Sequence, residues 1–250
     1  MRLKEFEIKP YKDVLRGKFK DPKEIIEYLS NQGFQYYGSG SFSTVYGKKG
    51  SNLVVKVVHT PKEDCWLKFA NYVKQNPNPF FPKIGRILVY KSKRKRDKYI
   101  ITIIERLDAP SGGLFKLKIF QNVQEIIDFC SYYSIHGYTA SLGKSSSPID
   151  DLVEEFYYFV VKDLISHKIN NQNTIKYINR LIYLDEKLLQ SKKVQSAAER
   201  FSKSDLFKAL SGIDHLMKTG CVGDLAQRNI MVRPSTGQMV FIDPVYKDKV

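Results

Sequence analysis

The chain has 250 residues, with 41 Lys plus Arg against 26 Asp plus Glu, a net charge of +15 and a pI of about 9.5. A hydrophobic share of 42% and an aromatic share of 13% exclude a chain that is disordered by composition. Cys65, Cys130 and Cys221 are too few and too far apart for a disulfide scaffold, and no apolar run reaches the roughly 18 residues of a membrane helix.

Residues 1–10 alternate charged and apolar side chains and lack the apolar core of a secretion signal. The expected location is therefore the cytoplasm, with no membrane partner. The positive charge predicts attraction to anions such as nucleotides or acidic proteins, and beyond that charge nothing argues for direct nucleic-acid binding.

Asp21-Pro22-Lys23-Glu24 reads as an N-cap, a proline in the first turn and an acidic third position, so a helix is predicted from there to about Gln32, with Gly33 behind it. From Phe34 the pattern changes to short runs rich in Val, Ile, Tyr and Phe, separated by Gly, Asn, Lys and Pro. Strands are predicted at Phe34–Gly38, Ser43–Tyr46, Leu53–Val58, Arg86–Lys91 and Lys98–Leu107, with one helix near Lys62–Gln75. The basic run from Lys91 to Lys98 reads either as a solvated hairpin tip or as a docking patch for acidic partners or nucleic-acid-bound proteins.

Pro110, Gly112 and Gly113 mark a linker after Asp108, beyond which the pattern is helical. Helices are predicted over Gln121–Tyr133, from Ser147-Pro148 to about Ile169 with Phe156, Tyr157, Phe159 and Val160 largely buried, over Thr174–Leu189, and from Ser204-Asp205 to about Thr219 with Gly220 as C-cap. The last 30 residues return to short strands. The predicted organisation is an N-terminal helical extension (1–33), a β-rich lobe (34–108) and a mostly helical lobe (109–250), an α+β fold.

Four local patterns carry chemistry. Gly38-Ser39-Gly40-Ser41-Phe42, followed by Val45, is a glycine loop between strands, where the backbone can approach a phosphate closely. Lys56 stands in the middle of the apolar run Leu53–Val58, where an ammonium must face solvent or meet a negative group. Asp224 and Asn229 stand five apart in Gly223-Asp224-Leu225-Ala226-Gln227-Arg228-Asn229. Asp243 follows at the end of the predicted hairpin strand Met239–Ile242. Phosphoryl transfer uses these types, a carboxylate to orient a hydroxyl and oxygen ligands for Mg²⁺.

In this order the set resembles the protein-kinase signature of glycine loop, strand-three lysine, Asp-x₄-Asn loop and metal-binding Asp. More narrowly, Gly38–Ser43, Val54–Lys56, Asn229–Met231 and Asp243–Val245 are similar to stretches of the early serine/threonine protein kinases of T-seven-like lytic phages. The resemblance covers about residues 34–107 and 204–246. It implies a two-lobed kinase-like fold with a small antiparallel N-lobe and a shortened C-lobe, and ATP- and Mg²⁺-dependent phosphorylation of Ser/Thr in proteins. Host proteins, in the cytoplasm of an infected bacterium, are the implied targets.

Residue by residue, the resemblance assigns Ser39–Phe42, with Gly38 and Val45, to ATP. Lys56 is assigned to the α/β-phosphates, Glu105 and Leu107 to adenine, Asp224 to the substrate hydroxyl, and Asn229 and Asp243 to Mg²⁺. Arg228 would lie near the γ-phosphate, and the expected acidic partner of Lys56 falls on Glu63 or Asp64, with Glu63 favoured. The pattern departs from the family in three places. Val222-Gly223 replaces the usual His-Arg, Pro244-Val245 follows Asp243, and no activation segment comes after. Two other readings stay open: a small-molecule phosphotransferase of the aminoglycoside-kinase type, and a kinase-fold protein that acts by docking alone.

Overall fold

The computed structural model describes residues 9–17, 19, 21–40, 43–58, 64–91, 98–111, 117–137 and 148–247. The fold is α+β and divides into two compact units, one holding residues 1–77 and 82–107, the other residues 78–81 and 108–248.

The first unit is built on a five-stranded antiparallel sheet of β1 (Gln35–Ser39), β2 (Ser43–Gly47), β3 (Leu53–Val58), β4 (Ile84–Lys91) and β5 (Lys98–Glu105), in the order β1-β2-β3-β5-β4. Two helices of the same unit, α1 (Lys9–Arg16) and α2 (Pro22–Asn31), pack on one face. Tyr11, Val14, Ile25 and Leu29 share a core with Leu53, Val55, Val57, Ile101 and Ile103. These strand residues alternate along β3 and β5, so the face opposite α1 and α2 carries Val54, Lys56, Val58 and Thr102. The Asp21 carboxylate accepts from the N–H groups of Lys23 (2.8 Å) and Glu24 (3.1 Å), the expected cap. Gly33 takes φ +74°, which suits a glycine that ends a helix. The Tyr11 hydroxyl ties α1 to the sheet through the Leu53 carbonyl at 2.7 Å. The helix α3 (Asp64–Gln75) follows β3.

The second unit is mainly helical: α4 (Val123–Tyr132), α5 (Pro148–Phe156), α6 (Lys162–Lys168), α7 (Gln172–Ile182), α8 (Glu186–Leu189), α9 (Lys192–Ser202) and α10 (Asp205–Met217). A single turn of π-helix, Tyr157–Val161, breaks the longest predicted helix into α5 and α6, and another, Tyr133–Gly137, carries α4 past its predicted end. An extra residue in a turn rotates the side chains that follow. Phe156 and Val160 are therefore fully buried while Phe159 is 41% exposed, against the expectation of a buried helix through all of them. The predicted Thr174–Leu189 helix is also two helices, α7 and α8, and α9 is a separate helix capped by the Ser191 hydroxyl on the Val194 N–H.

Phe129 lies at the centre of the helical core, with ring contacts to Phe120, Tyr133, Phe156 and Phe201. Two short antiparallel ribbons complete the unit: β7 (Ile230–Arg233) with β8 (Gln238–Phe241), and β6 (Val222–Gly223) with β9 (Val245–Tyr246). No described helix is long and apolar enough to cross a membrane.

Candidate functional site

The sequence-predicted residues fall into two constellations, one in each unit.

In the first unit, strand register aligns them. Gly38 pairs with Val45, Val45 with Lys56, and Lys56 with Thr102, so the four form one transverse row across β1, β2, β3 and β5. Directly paired residues project to the same face, and each strand step is about 4.8 Å. The row therefore places Gly38 about 10 Å from Lys56, with Val45 in between. Ser39 pairs with Thr44, and the Gly40 N–H donates to the Ser43 carbonyl at 2.9 Å, closing the hairpin. Ser41 and Phe42, assigned to the tip, lie outside the described residues, as does Glu63.

Lys56 is only 5% exposed. Its ammonium lies 4.8 Å from the centroid of the Trp66 ring on α3, a cation–π contact. Trp66 is buried and forms part of the surroundings of the lysine. Glu105 closes the same sheet at the end of β5, paired with Leu53. Its N–H donates to the Lys83 carbonyl (3.0 Å) and its side chain accepts from the Lys83 N–H (2.8 Å). Leu107 ends the first unit two residues later.

In the second unit, the two ribbons gather Asp224, Asn229 and Asp243. Asp224 directly follows β6, whose Gly223 pairs with Val245. Asn229 directly precedes β7, whose Ile230 pairs with Phe241. The three residues joining β8 to β9 therefore pass both. The Ile242 N–H donates to the Asn229 carbonyl (3.0 Å), and the Asp224 N–H donates to the Pro244 carbonyl (2.8 Å). Asp243 lies between these two anchors.

Asn229 is buried, and its side-chain N–H donates to the Asp224 carbonyl at 3.0 Å. That bond fixes the amide and leaves Oδ1 as the end that can meet a cation. Arg228 donates through Nη2 to Asp224 Oδ2 at 2.6 Å. The Asp224 side chain is 17% exposed and that of Arg228 72%, so the pair sits at a solvent boundary.

A residue absent from the sequence reading completes this constellation. Glu155, on α5, accepts the Leu225 N–H at 3.3 Å. Burial raises its pKa, the Leu225 N–H opposes that rise, and the Asp224 charge adds to it. Leu152, one turn earlier on α5, lies against Gly223. A Cβ added there would stand 3.2 Å from Leu152 Cδ2 and 3.1 Å from Met217 Sδ. A side chain at position 223 would therefore make both of these side-chain ends give way.

Among the described residues no three His, Cys, Asp or Glu side chains form a metal cage. Mg²⁺ needs less than that, because it binds through one or two carboxylates together with the phosphates of its ligand. The hard oxygens of Asn229 and Asp243 suit it. What the arrangement offers chemically is a carboxylate held by an arginine, an amide oxygen and a second carboxylate on one rigid crossing of two ribbons. No protein-family model matches the sequence, and no curated protein matches it.

Proposed function

We propose that the protein is an ATP- and Mg²⁺-dependent protein kinase, with the two-lobed organisation of that superfamily, which transfers the γ-phosphoryl group to Ser/Thr hydroxyls. The observation that carries the reading is the crossing of the ribbons, which brackets Asp243 between bonds to Asn229 and Asp224 although the three are spread over 20 residues of chain. Three oxygen-bearing side chains on one backbone crossing suit an in-line transfer, where catalysis is mostly positioning and charge stabilisation.

In this reading Asp224 orients the acceptor hydroxyl through Oδ1, since Oδ2 is engaged by Arg228. Asn229 and Asp243 hold Mg²⁺, which neutralises charge on the phosphates. In this reading the β1–β2 hairpin and Lys56 serve the phosphates and Val45 the base, and their alignment in one transverse row supports it. The Glu105 N–H is committed to Lys83, so Leu107 is the donor for adenine. Protein targets, host proteins among them, and a cytoplasmic site of action belong to the same proposal.

The test is incubation with labelled ATP and Mg²⁺, alone and with bacterial lysate, beside Asp224→Ala. Label on Ser or Thr that disappears in the variant supports the reading. Binding of ATP without protein labelling, combined with transfer to a small hydroxylated molecule, would replace it with the small-molecule phosphotransferase. Absence of both would leave a docking protein.

A further inference from the structure

We infer that helix α5 is the element that positions the Asp224 loop, with Glu155 as a positioning residue that acts through the Leu225 amide. The inference rests on the kinase reading for the role of Asp224, but the clamp itself is a matter of geometry. Asp224 is gripped on both sides by residues one helical turn apart on α5. On one side Leu152, itself 2% exposed, packs against the bare backbone of Gly223. On the other side Glu155 takes the Leu225 N–H. Positions i and i+3 of a helix share a face, so a single face of α5 holds residues 223 and 225 and sets the direction in which 224 projects.

Leu225 is fully buried, so no solvent substitutes for the acceptor. The carboxylate is also held there at a cost, since burial and the Asp224 charge both disfavour its ionised form. Arg228, on Asp224 Oδ2, offsets part of that repulsion. A carboxylate is a poor choice merely to fill this space. Its oxygen meets a backbone donor next to the reacting side chain, and loop placement is the role that accounts for it.

Two readouts test this separately. The first is hydrogen exchange of the Leu225 amide, which needs no activity. The second is ATP-dependent transfer, resolved into kcat and the KM for ATP. Glu155→Ala should speed Leu225 exchange about tenfold or more and lower kcat about tenfold or more, with the KM for ATP within about threefold of wild type. Glu155→Gln keeps an acceptor oxygen and should restore both to within about threefold. Far-UV circular dichroism checks folding, and if the alanine variant does not fold, the glutamine variant decides alone.

The inference is overturned if Leu225 exchange is unchanged in Glu155→Ala, if exchange rises while kcat does not fall, or if a folded Glu155→Gln is slow to turn over. A wild-type protein that transfers no phosphate would sink the kinase reading, and the exchange readout would still decide whether the clamp exists.

Discussion

Replacing Gly38 and Gly40 by alanine separates what the β1–β2 hairpin needs for folding from what it needs for a ligand. Neither residue has a positive φ. Among the described residues nothing lies within 4 Å of a Cβ built on Gly38, and for Gly40 the nearest atom is Ser43 Oγ at 3.9 Å. The folded state therefore has room for both methyl groups and requires no left-handed backbone. Where the backbone is compatible, Gly→Ala stabilises by about 0.4–1 kcal/mol, because the unfolded chain loses freedom. Each variant should unfold at the same or slightly higher urea concentration. Trp66, the single tryptophan of the chain, stands in the same unit and reports that transition by its fluorescence. If the glycines serve phosphates, the added Cβ atoms obstruct the approach of backbone amides. The double variant should then bind ATP at least about tenfold more weakly, a loss of about 1.4 kcal/mol. A variant that binds ATP normally would refute the hairpin as a phosphate cradle. A variant destabilised by more than about 1 kcal/mol would show that the fold is what uses the glycines.

Three further outcomes are expected. Asp128, whose side chain is 10% exposed, accepts from Arg200 Nε (2.9 Å) and Nη2 (2.8 Å) and from Gln124 (2.8 Å). Arg200→Met should therefore cost about 2–3 kcal/mol in urea unfolding followed by circular dichroism, below the 3–5 of a fully buried pair because the Arg200 side chain is half exposed. An unchanged midpoint would refute the pair as a link between α4 and α9. Burial pushes the phenols of Tyr99, Tyr132 and Tyr157 up to about 12. The native state then holds protons that the unfolded state has released, so stability should fall as pH rises from about 10 to 12, with phenolate absorbance appearing together with unfolding. Ionisation of all tyrosines near pH 10 in a folded protein would contradict this. Gly223→Ala should destabilise by about 1 kcal/mol, as two side-chain ends give way to a Cβ at 3.1–3.2 Å. In a Leu152→Ala background the share due to Leu152 should vanish while that due to Met217 stays, and additive costs would place Leu152 elsewhere.

The strands of the first unit are legible because each is a short run bounded by turn residues. The predicted Leu53–Val58 matches β3 at both ends, and the other four differ from the observed strands by one or two residues at one or both ends. Helix α10 is legible from its cap, since the Ser204 hydroxyl accepts the Phe207 N–H and Gly220 takes φ +88°. Helix α1 is not legible. Its eight residues include two lysines, an aspartate, an arginine and a proline, a poor helix by propensity, and packing of Tyr11 and Val14 onto the sheet holds it in place. Helix α9 hides its stripe in small residues, with Val194, Ala197, Ala198 and Phe201 at i, i+3, i+4 and i+7. The π-turns are invisible for another reason. Periodicity over Ser147–Ile169 is averaged across the turn that breaks it, so the exposure of Tyr158 and Phe159 has no local sign.

The same distinction runs through the candidate site. Asp224, Asn229 and Asp243 can be found from spacing because a hairpin is a local object. Asp243 follows Asn229 by fourteen positions, which is enough for β7, its turn and β8, and antiparallel pairing then returns the chain beside its starting point. Lys56 is found because a charge in an apolar strand breaks the pattern. Glu155 breaks none. It lies in a helix with three other acids, Asp150, Asp151 and Glu154, and its partner is 70 residues away. That partner is a backbone N–H, a group every residue but proline possesses, so the identity of Leu225 carries no trace of the bond. Gly223 is the one visible sign. A glycine directly before a candidate catalytic aspartate, with no positive φ to explain it, implies that another part of the chain comes within van der Waals reach of its backbone. Sequence alone leaves that neighbour unnamed. In the fold it is α5, and the same helix face supplies the carboxylate on the far side of Asp224.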